Sequence, residues 1–378
     1  MIKQLFDMMT TANHHDTSSS VVGVCTKIEI SAQIPRPKSL FSKSNDFVSS
    51  EITSYIVNNS THTLKFACEI NSRHITLTFI TFKRHIDSQK YQRLARKVFM
   101  WLDISSKLAT CVKTLHIYIY LTPFKKQMPS AHGLVLGADN ANSGYTYPCK
   151  DHNEIVIYRK EEWFKVFIHE TMHSFGHDTY SVVGDNNADA ESFIRDIFSI
   201  PYNVTVLLSE TYSEIWARII SCAFHSFTPT FSLNTFSKKM HECMELESRF
   251  SLYQAIKVIS YMGLSYRSFI TANSKNKVES AYKENTNIFA YYVLTAIIMT
   301  HYNEFFDWCI KHNSTGSGSV FTLNTTELSF AKFIKQCYRT DKILQKISET
   351  EEDRVEDSNA SSKHYSLLRT TMRMTIIS

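Results

Sequence analysis

The chain has 378 residues, of which 43% are hydrophobic, 20% are charged and 13% are aromatic. This composition is typical of a folded globular protein and excludes a disordered or fibrous chain. The 41 lysines and arginines exceed the 36 aspartates and glutamates only slightly and are dispersed along the sequence. A nucleic-acid-binding protein normally has a stripe of basic residues or a known recognition motif, and this sequence has neither. We therefore expect no nucleic-acid partner.

The cysteines and the apolar segments indicate the cellular compartment in which we expect the protein. The eight cysteines are spread evenly without a C-x-x-C pair, so we expect all of them to be reduced thiols. Residues 1–16 lack the apolar stretch of a signal peptide, which favours a cytoplasmic location. The longest apolar run, residues 288–299, is too short to cross a bilayer and predicts a buried helix rather than a membrane span.

The first part of the chain predicts a sheet with one helix. Residues rich in β-branched and aromatic side chains predict strands at 21–32, 63–70 and 74–82. Helical spacing of apolar residues predicts an amphipathic helix at 88–108, and nearly perfect alternation predicts another strand at 114–122. The sheet is therefore expected to form before the middle of the chain.

A loop, a strand and a second helix follow. The sequence predicts a loop at 133–143, a short buried strand at 154–158 and a helix at 161–175. Glu161 and Glu162 are expected in the first turn of this helix, where carboxylates complement the helix dipole. Gly176 is expected to end it.

The remainder of the chain is polar at 178–190 and then mostly helical to about residue 341, while 348–363 is acidic and predicts a solvated linker. We therefore predict an α+β fold with three parts. An α+β unit spans 1–176, a helical unit spans 177–345, and an acidic linker with a C-terminal tail spans 346–378.

One motif in the second helix carries chemistry, the sequence H-E-x-x-H at 169–173. His169 and His173 are four residues apart, so a helix projects both imidazoles from one face towards a single metal ion. Zinc suits such nitrogen ligands, and a catalytic zinc uses three protein ligands and a water molecule. Glu170, next to the first histidine, is the expected general base that takes a proton from that water.

A third ligand is expected from the helix that we predict at 208–224. Glu210 and Glu214 are one turn apart and therefore share a face of that helix. One carboxylate can bind zinc while the other holds a ligating imidazole in its tautomer. The spacing alone does not say which glutamate is the ligand. Two surface carboxylates at a helix start are the alternative interpretation.

H-E-x-x-H followed by a helix with Glu-x-x-x-acid resembles the gluzincin branch of the zincin-type metallopeptidases. The resemblance implies a zincin-like fold, Glu210 as the third zinc ligand and Glu214 as the partner of His169. The chain departs from the thermolysin-like pattern at Ser209, where that pattern has Asn, and at Glu214, where it has Asp. The stretch from 142 to 217 also resembles uncharacterised putative metallopeptidases of large cytoplasmic DNA viruses, which implies a viral protein of the host cytoplasm or the virion.

The metzincin pattern, H-E-x-x-H-x-x-G-x-x-H, matches this chain only as far as Gly176. Its last ligand position is Thr179, which cannot serve as that histidine does. His177 or Asp178 could bind the metal only if the turn at Gly176 brought one of them back to the helix. A glutamate from the later helix therefore remains the favoured third ligand.

A substrate-binding edge is expected just before the strand at 154–158. In zincin-like folds an edge strand there pairs with an extended peptide, and its free N–H and C=O groups suit that role. A simple hairpin turn is the alternative. The residues concerned are Asn142, Ser143, Gly144 and Tyr145. Several side chains could stabilise an oxyanion, and the sequence offers no basis for choosing among Tyr145, Tyr147, Tyr212 and His225.

Together these patterns predict a zinc-dependent metallopeptidase that acts on a peptide or protein substrate, and they leave its oligomeric state open. A zinc-containing structural or interaction protein without turnover is the main alternative. Glu170 argues against it, because a structural site needs no base and closes its fourth position. A third hypothesis is an acyl-transfer enzyme that uses Cys149 with His152, but the sequence lacks the motifs that usually surround such a pair.

Overall fold

The structure is a computed structural model of the whole chain. It describes residues 1–17, 29–42, 45–107, 109–131, 133–178, 187–313, 319–359 and 363–377. Residues 21–28 of the first predicted strand, Cys25 and the metzincin position Thr179 lie outside these ranges.

Six strands form one mixed sheet in the order β1-β2-β3-β4-β6-β5. β2 pairs antiparallel with both β1 and β3. The next strands in the sheet, β3, β4 and β6, are parallel to one another, and β5 lies antiparallel to β6 at the edge. The strands are β1 Glu29–Ser31, β2 His62–Ile70, β3 Arg73–Thr81, β4 Thr114–Thr122, β5 Gly144–Thr146 and β6 His152–Arg159. The strands predicted at 63–70, 74–82, 114–122 and 154–158 are confirmed within a few residues.

Helices make up most of the rest of the described chain. In the first part they are α1 Ile2–Thr17, α2 Lys38–Phe41, α3 Ser50–Asn59, α4 Ser88–Ser106, α5 Ala138–Ala141 and α6 Trp163–Ser174. After the sheet they are α7 Asn187–Phe198, α8 Leu208–Ser226, α9 Leu233–Tyr261, α10 Tyr266–Ile270, α11 Lys275–Ala281, α12 Thr295–Thr300, α13 Tyr302–Asn313, α14 Glu327–Cys337, α15 Asp341–Asn359 and α16 Lys363–Thr370. A 3-10 turn at Ala272–Ser274 and a π-helical turn at Phe289–Leu294 interrupt this series.

Both faces of the sheet are covered. On one face Ile117 and Ile155 belong to a large core that continues through α4 and α6 into the C-terminal helices. On the other face Tyr120 and Val156 pack against α2, α3 and the chain that joins them. Apolar side chains on both faces of the central strands explain why those segments are so rich in Ile, Leu, Val and Tyr.

The expected α+β organisation is confirmed at the level of a mixed sheet followed by a helical part. The prediction of a linker at 348–363 is wrong up to residue 359, because this part of the chain is helical and α15 continues to Asn359. Ile343 and Ile347 are buried on one side of α15, and this narrow apolar stripe attaches an otherwise polar helix to the protein. In the part of the chain that the structure describes, no helix has the length and apolarity to cross a membrane.

The expectation of eight reduced thiols is wrong for one pair. Cys111 and Cys149 form a disulfide with their Cα atoms 5.1 Å apart, while the other five described cysteines are buried thiols, namely Cys68, Cys222, Cys243, Cys309 and Cys337. The two partners are 38 residues apart in sequence, and only the fold brings their loops together beside Gly176. A Cβ on Gly176 would lie 3.2 Å and 3.3 Å from the two sulfur atoms, so a glycine suits this position for its small size and for its positive φ of 70°. The disulfide also removes Cys149 as the free nucleophile of an acyl-transfer enzyme.

Candidate metal centre

Two packed helices, α6 and α8, carry the predicted site residues. Every residue of α6 from Phe164 to Ser174 is buried, because the helix lies between the sheet and the C-terminal helices. The helix predicted at 161–175 is confirmed, but it begins at Trp163. Glu162 is its N-cap residue with a left-handed φ of 57°, so neither Glu161 nor Glu162 lies in the first turn as expected.

Three ligand atoms converge between the two helices, and they belong to His169, His173 and Glu210. His169 Nε2 lies 3.0 Å from His173 Nε2 and 3.1 Å from Glu210 Oε2. The third side of this triangle, from His173 Nε2 to Glu210 Oε2, measures 3.3 Å. Among the described residues this is the one group of three potential ligands that could hold a metal ion.

The dimensions of the triangle fit zinc. A tetrahedral zinc with bonds of ~2.0–2.1 Å separates its ligand atoms by roughly 3.3–3.4 Å, close to the three distances found here. Two imidazoles and a carboxylate are also the donor set of a catalytic zinc site with an open fourth position. The residues present therefore fit the ion that the sequence predicts.

Carboxylates behind the two imidazoles orient them. His173 Nδ1 forms a short hydrogen bond with Asp178 Oδ2, and His169 Nδ1 lies 3.2 Å from Glu214 Oε2. A neutral imidazole that carries its hydrogen on Nδ1 has a lone pair on Nε2. With this tautomer in both rings, the three atoms of the triangle present lone pairs to one another, an arrangement that a bound cation would stabilise.

Glu214 is held by two cations that the sequence analysis did not single out. Lys165 Nζ donates to both of its oxygens at 2.9 Å and 3.0 Å, and Arg218 Nε donates to Oε1 at 2.9 Å. All three side chains are almost fully buried. Lys165 lies one turn before His169 and Arg218 one turn after Glu214, so the helical spacing of the charges is the signal that could have identified them.

The electrostatics of the cluster favour positive charge at the triangle. Burial raises the pKa of both Glu210 and Glu214, but this effect is outweighed and both pKa values are depressed. The imidazoles of His173 and His169 hold the pKa of Glu210 far below its usual range, and Lys165 and Arg218 do the same for Glu214. Both carboxylates are therefore ionised at neutral pH.

The carboxylate of Glu170 lines the same cleft, together with the three ligand residues. Within the described ranges, no protein group donates a hydrogen bond to it. Burial raises the pKa of Glu170 above its usual value. A carboxylate that accepts no hydrogen bond from the described protein groups and is more basic than usual is suited to proton abstraction.

The predicted edge, residues 142–145, lies along this cleft of about 290 Å³. The Tyr158 N–H donates to Ser143 O, and Tyr145 pairs with Val156, so the alternation of an antiparallel pair turns the backbone groups of Gly144 and Thr146 away from β6. A Cβ on Gly144 would come within 2.9 Å of Val166 Cγ1, so the glycine allows β5 to lie directly against α6.

None of the four suggested oxyanion donors forms part of the metal-ligand triangle. The Tyr145 hydroxyl is bonded to Ser39, the Tyr212 hydroxyl accepts a hydrogen bond from Asn313, Tyr147 is exposed, and His225 lies in the last turn of α8. Instead Tyr291, which the sequence analysis did not consider, donates from its hydroxyl to Glu210 Oε2 at 3.0 Å. Tyr291 lies in the π-helical turn, a distortion that often occurs at functional sites.

Residues 371–377, which we call the C-terminal strap, complete the wall of the cleft. Met374 lines the cleft, and its sulfur lies 3.6 Å from Lys165 Nζ. Glu162 Oε1 accepts hydrogen bonds from the backbone N–H groups of Met374 and Thr375 at 2.7 Å and 2.5 Å. Glu247 Oε1 accepts from the N–H groups of residues 376 and 377. Residues that the sequence analysis described only as a C-terminal tail therefore form part of the cleft wall.

Of the two residues after Gly176, neither belongs to the triangle. Asp178 contacts the far side of the His173 ring, as described above. His177 is buried between Ser105 O, at 2.9 Å from its Nε2, and Thr322 Oγ1, at 2.8 Å from its Nδ1. The turn at Gly176 thus brings back a residue that supports a ligand.

Comparison with known proteins adds no relative. No protein-family model, no curated protein and no solved structure matches this chain.

Proposed function

We propose that the chain is a zinc-dependent peptide-bond hydrolase of the zincin type, with His169, His173 and Glu210 as ligands. The observation that carries this proposal is the convergence of their three lone-pair atoms beside Glu170, a carboxylate that no described group engages. The edge strand β5 beside the site helix supports the zincin-like assignment.

A zinc ion held by these three residues would supply a Lewis acid for the scissile carbonyl and would acidify a water molecule. Glu170 takes the proton of that water and delivers it to the leaving amine. Asp178 and Glu214 keep the two imidazoles in the orientation that directs their Nε2 atoms to the ion. The hydroxyl of Tyr291 donates a hydrogen bond to Glu210 and helps to hold that carboxylate in the orientation of a ligand.

The substrate class follows from the edge strand. The outward N–H and C=O groups of Gly144 and Thr146 can pair with an extended peptide as an additional strand. Such pairing recognises the backbone of the peptide rather than its side chains. It also places a peptide bond across the cleft in which Glu170 lies. We therefore propose a peptide or protein substrate that binds in extended form.

Metal analysis tests the centre. Purified protein should contain a single zinc ion per chain, Glu210→Ala should lose it, and Glu170→Gln should keep it because Glu170 is not a ligand. Glu304→Ala is the matched control, since Glu304 pairs with Lys342 at the surface. Absence of zinc from the wild type, or its retention in Glu210→Ala, would contradict the proposed ligand set.

Hydrolysis is tested separately with a library of unstructured peptides. The zinc-loaded wild type should cleave some of them, and Glu170→Gln should cleave none at a comparable rate. A protein that keeps zinc in the triangle yet cleaves no peptide would instead be the zinc-containing structural or interaction protein, and the proposed activity would be rejected.

A further inference from the structure

A second cavity, of about 570 Å³, has five lysine or arginine side chains and two glutamates in its wall. It shares Lys165 with the cleft of the metal centre and reaches from α4 past the start of α6 to the C-terminal strap. Its basic lining residues are Lys97, Lys125, Lys160, Lys165 and Arg373.

Four of these cations form no close ion pair within the described residues. Lys165 is paired with Glu214, but the described part of the chain places no carboxylate within ion-pair distance of the other four. Arg373 Nε and Nη2 are buried and have no hydrogen-bond partner among the described residues. The half-buried Lys97 places its Nζ 3.9 Å from the centre of the Phe164 ring. Lys125 and Lys160 are exposed to solvent and need no partner, but buried guanidinium nitrogens without a partner are costly, so Arg373 beside the half-buried Lys97 indicates a missing anion.

The two carboxylates in the cavity wall are outnumbered by the five basic side chains, and their oxygens are hydrogen-bonded to other groups. Glu161 Oε2 accepts the backbone N–H of Lys126 at 2.8 Å. Glu162 accepts two N–H groups of the strap and pairs with the side chain of Lys126. The cavity therefore keeps an excess of positive charge even though two glutamates line it.

We propose that this cavity binds a small anion with several phosphate groups. Guanidinium groups bind phosphate oxygens in pairs, and lysines add point charges around them. A cavity of about 570 Å³ exceeds what a single phosphate needs, and its cations come from four separate segments. This site is independent of the proposed hydrolase activity, because neither Arg373 nor Lys97 belongs to the metal centre.

Calorimetric titration with inorganic triphosphate at near-physiological ionic strength tests the proposal. The wild type should bind one equivalent saturably, and Arg373→Gln and Lys97→Gln should each weaken the affinity about tenfold, as expected for loss of a charge-assisted hydrogen bond. Lys239→Gln is the matched control, because Lys239 also places its Nζ over a phenyl ring, Phe231 at 4.8 Å, but does not line the cavity. Its affinity should equal that of the wild type.

Two comparisons make the titration decisive. Because Arg373 lies in the strap, its variant could fail to fold, so Lys97→Gln with unchanged circular dichroism and zinc content carries the test. Tighter binding of a nucleoside triphosphate than of triphosphate would identify a nucleotide, and equal binding would identify the phosphate chain alone. No saturable binding, or binding that Lys97→Gln and Lys239→Gln leave equally strong, would overturn the proposal.

Discussion

The metal centre and the anchor of the C-terminal strap are both built from buried acids and bases, but they use them differently. In the anchor, Glu162 and Glu247 each direct an oxygen at backbone N–H groups, and Glu162 also pairs with Lys126. In the centre, three lone-pair atoms face one another and Glu170 faces the cleft without a donor. A buried carboxylate that is matched by protein donors holds the fold together, whereas one left unmatched is available for chemistry.

The largest effect should come from the unmatched carboxylate. Glu170→Gln keeps the size of the side chain but removes its ability to take a proton, so hydrolysis should fall by about 100-fold to 10,000-fold. Steady-state rates on a cleaved peptide, measured beside zinc content, provide the test. An unchanged rate would show that the two regions do not differ in the way proposed.

The matched carboxylate should instead affect stability. Glu162→Gln leaves the Lys126 ammonium buried without its partner, which should lower the free energy of unfolding by about 3–5 kcal/mol. Adding Lys126→Met to this variant removes the unpaired charge and should restore much of the loss. Urea unfolding of both variants measures the effect. If the single variant is as stable as the wild type, the anchor is not the structural counterpart of the centre.

His177 extends the comparison to histidines. Burial lowers the pKa of His177 to about 4, below the ordinary value near 6.5. Between these two pH values the imidazole is protonated in the unfolded chain but stays neutral in the native protein. The free energy of unfolding therefore decreases as pH falls from about 6.5 to about 4. We expect a loss of about 1.5 kcal/mol between about pH 6.5 and pH 5, a window above most carboxylate titrations. His177→Gln should show a flatter pH dependence of unfolding across this window.

The smallest effect should come from Tyr291, which supports a ligand and lies at the edge of the chemistry. Tyr291→Phe removes only its hydroxyl, so zinc should stay bound while hydrolysis falls about tenfold, the scale of one hydrogen bond to a charged group. Tyr145→Phe is the control, because its hydroxyl is bonded to Ser39 rather than to a ligand. A loss confined to KM, with kcat unchanged, would argue for a substrate-binding role only.

Local patterns in the sequence were sufficient for β2, β3, β4 and β6 and for the helix with H-E-x-x-H, because their periodicity depends on neighbours in the chain. The convergence of Glu210 with the two histidines was expected on helical spacing and a family resemblance, and the structure brings these residues together. Which atoms bind a metal stays a prediction until zinc is measured.

Other features depend on contacts between distant parts of the chain. The Cys111–Cys149 disulfide and the contacts of the strap join segments whose sequences contain no matching signal. Tyr291 escaped notice because it lies in an apolar run typical of a buried helix, and only the π-helical turn directs its hydroxyl to Glu210. Long-range geometry of this kind cannot be read from periodicity.

The C-terminal strap also determines when the site can be completed. Glu162 and Met374 are 212 residues apart in sequence, so the start of the site helix is made long before its partner leaves the ribosome. Until then Glu162 lacks its backbone donors and the cleft lacks the wall that Met374 provides. Contacts over such a separation form late in folding. A nascent chain that already carries both histidines therefore has no complete cleft until residues 371–377 have been synthesised.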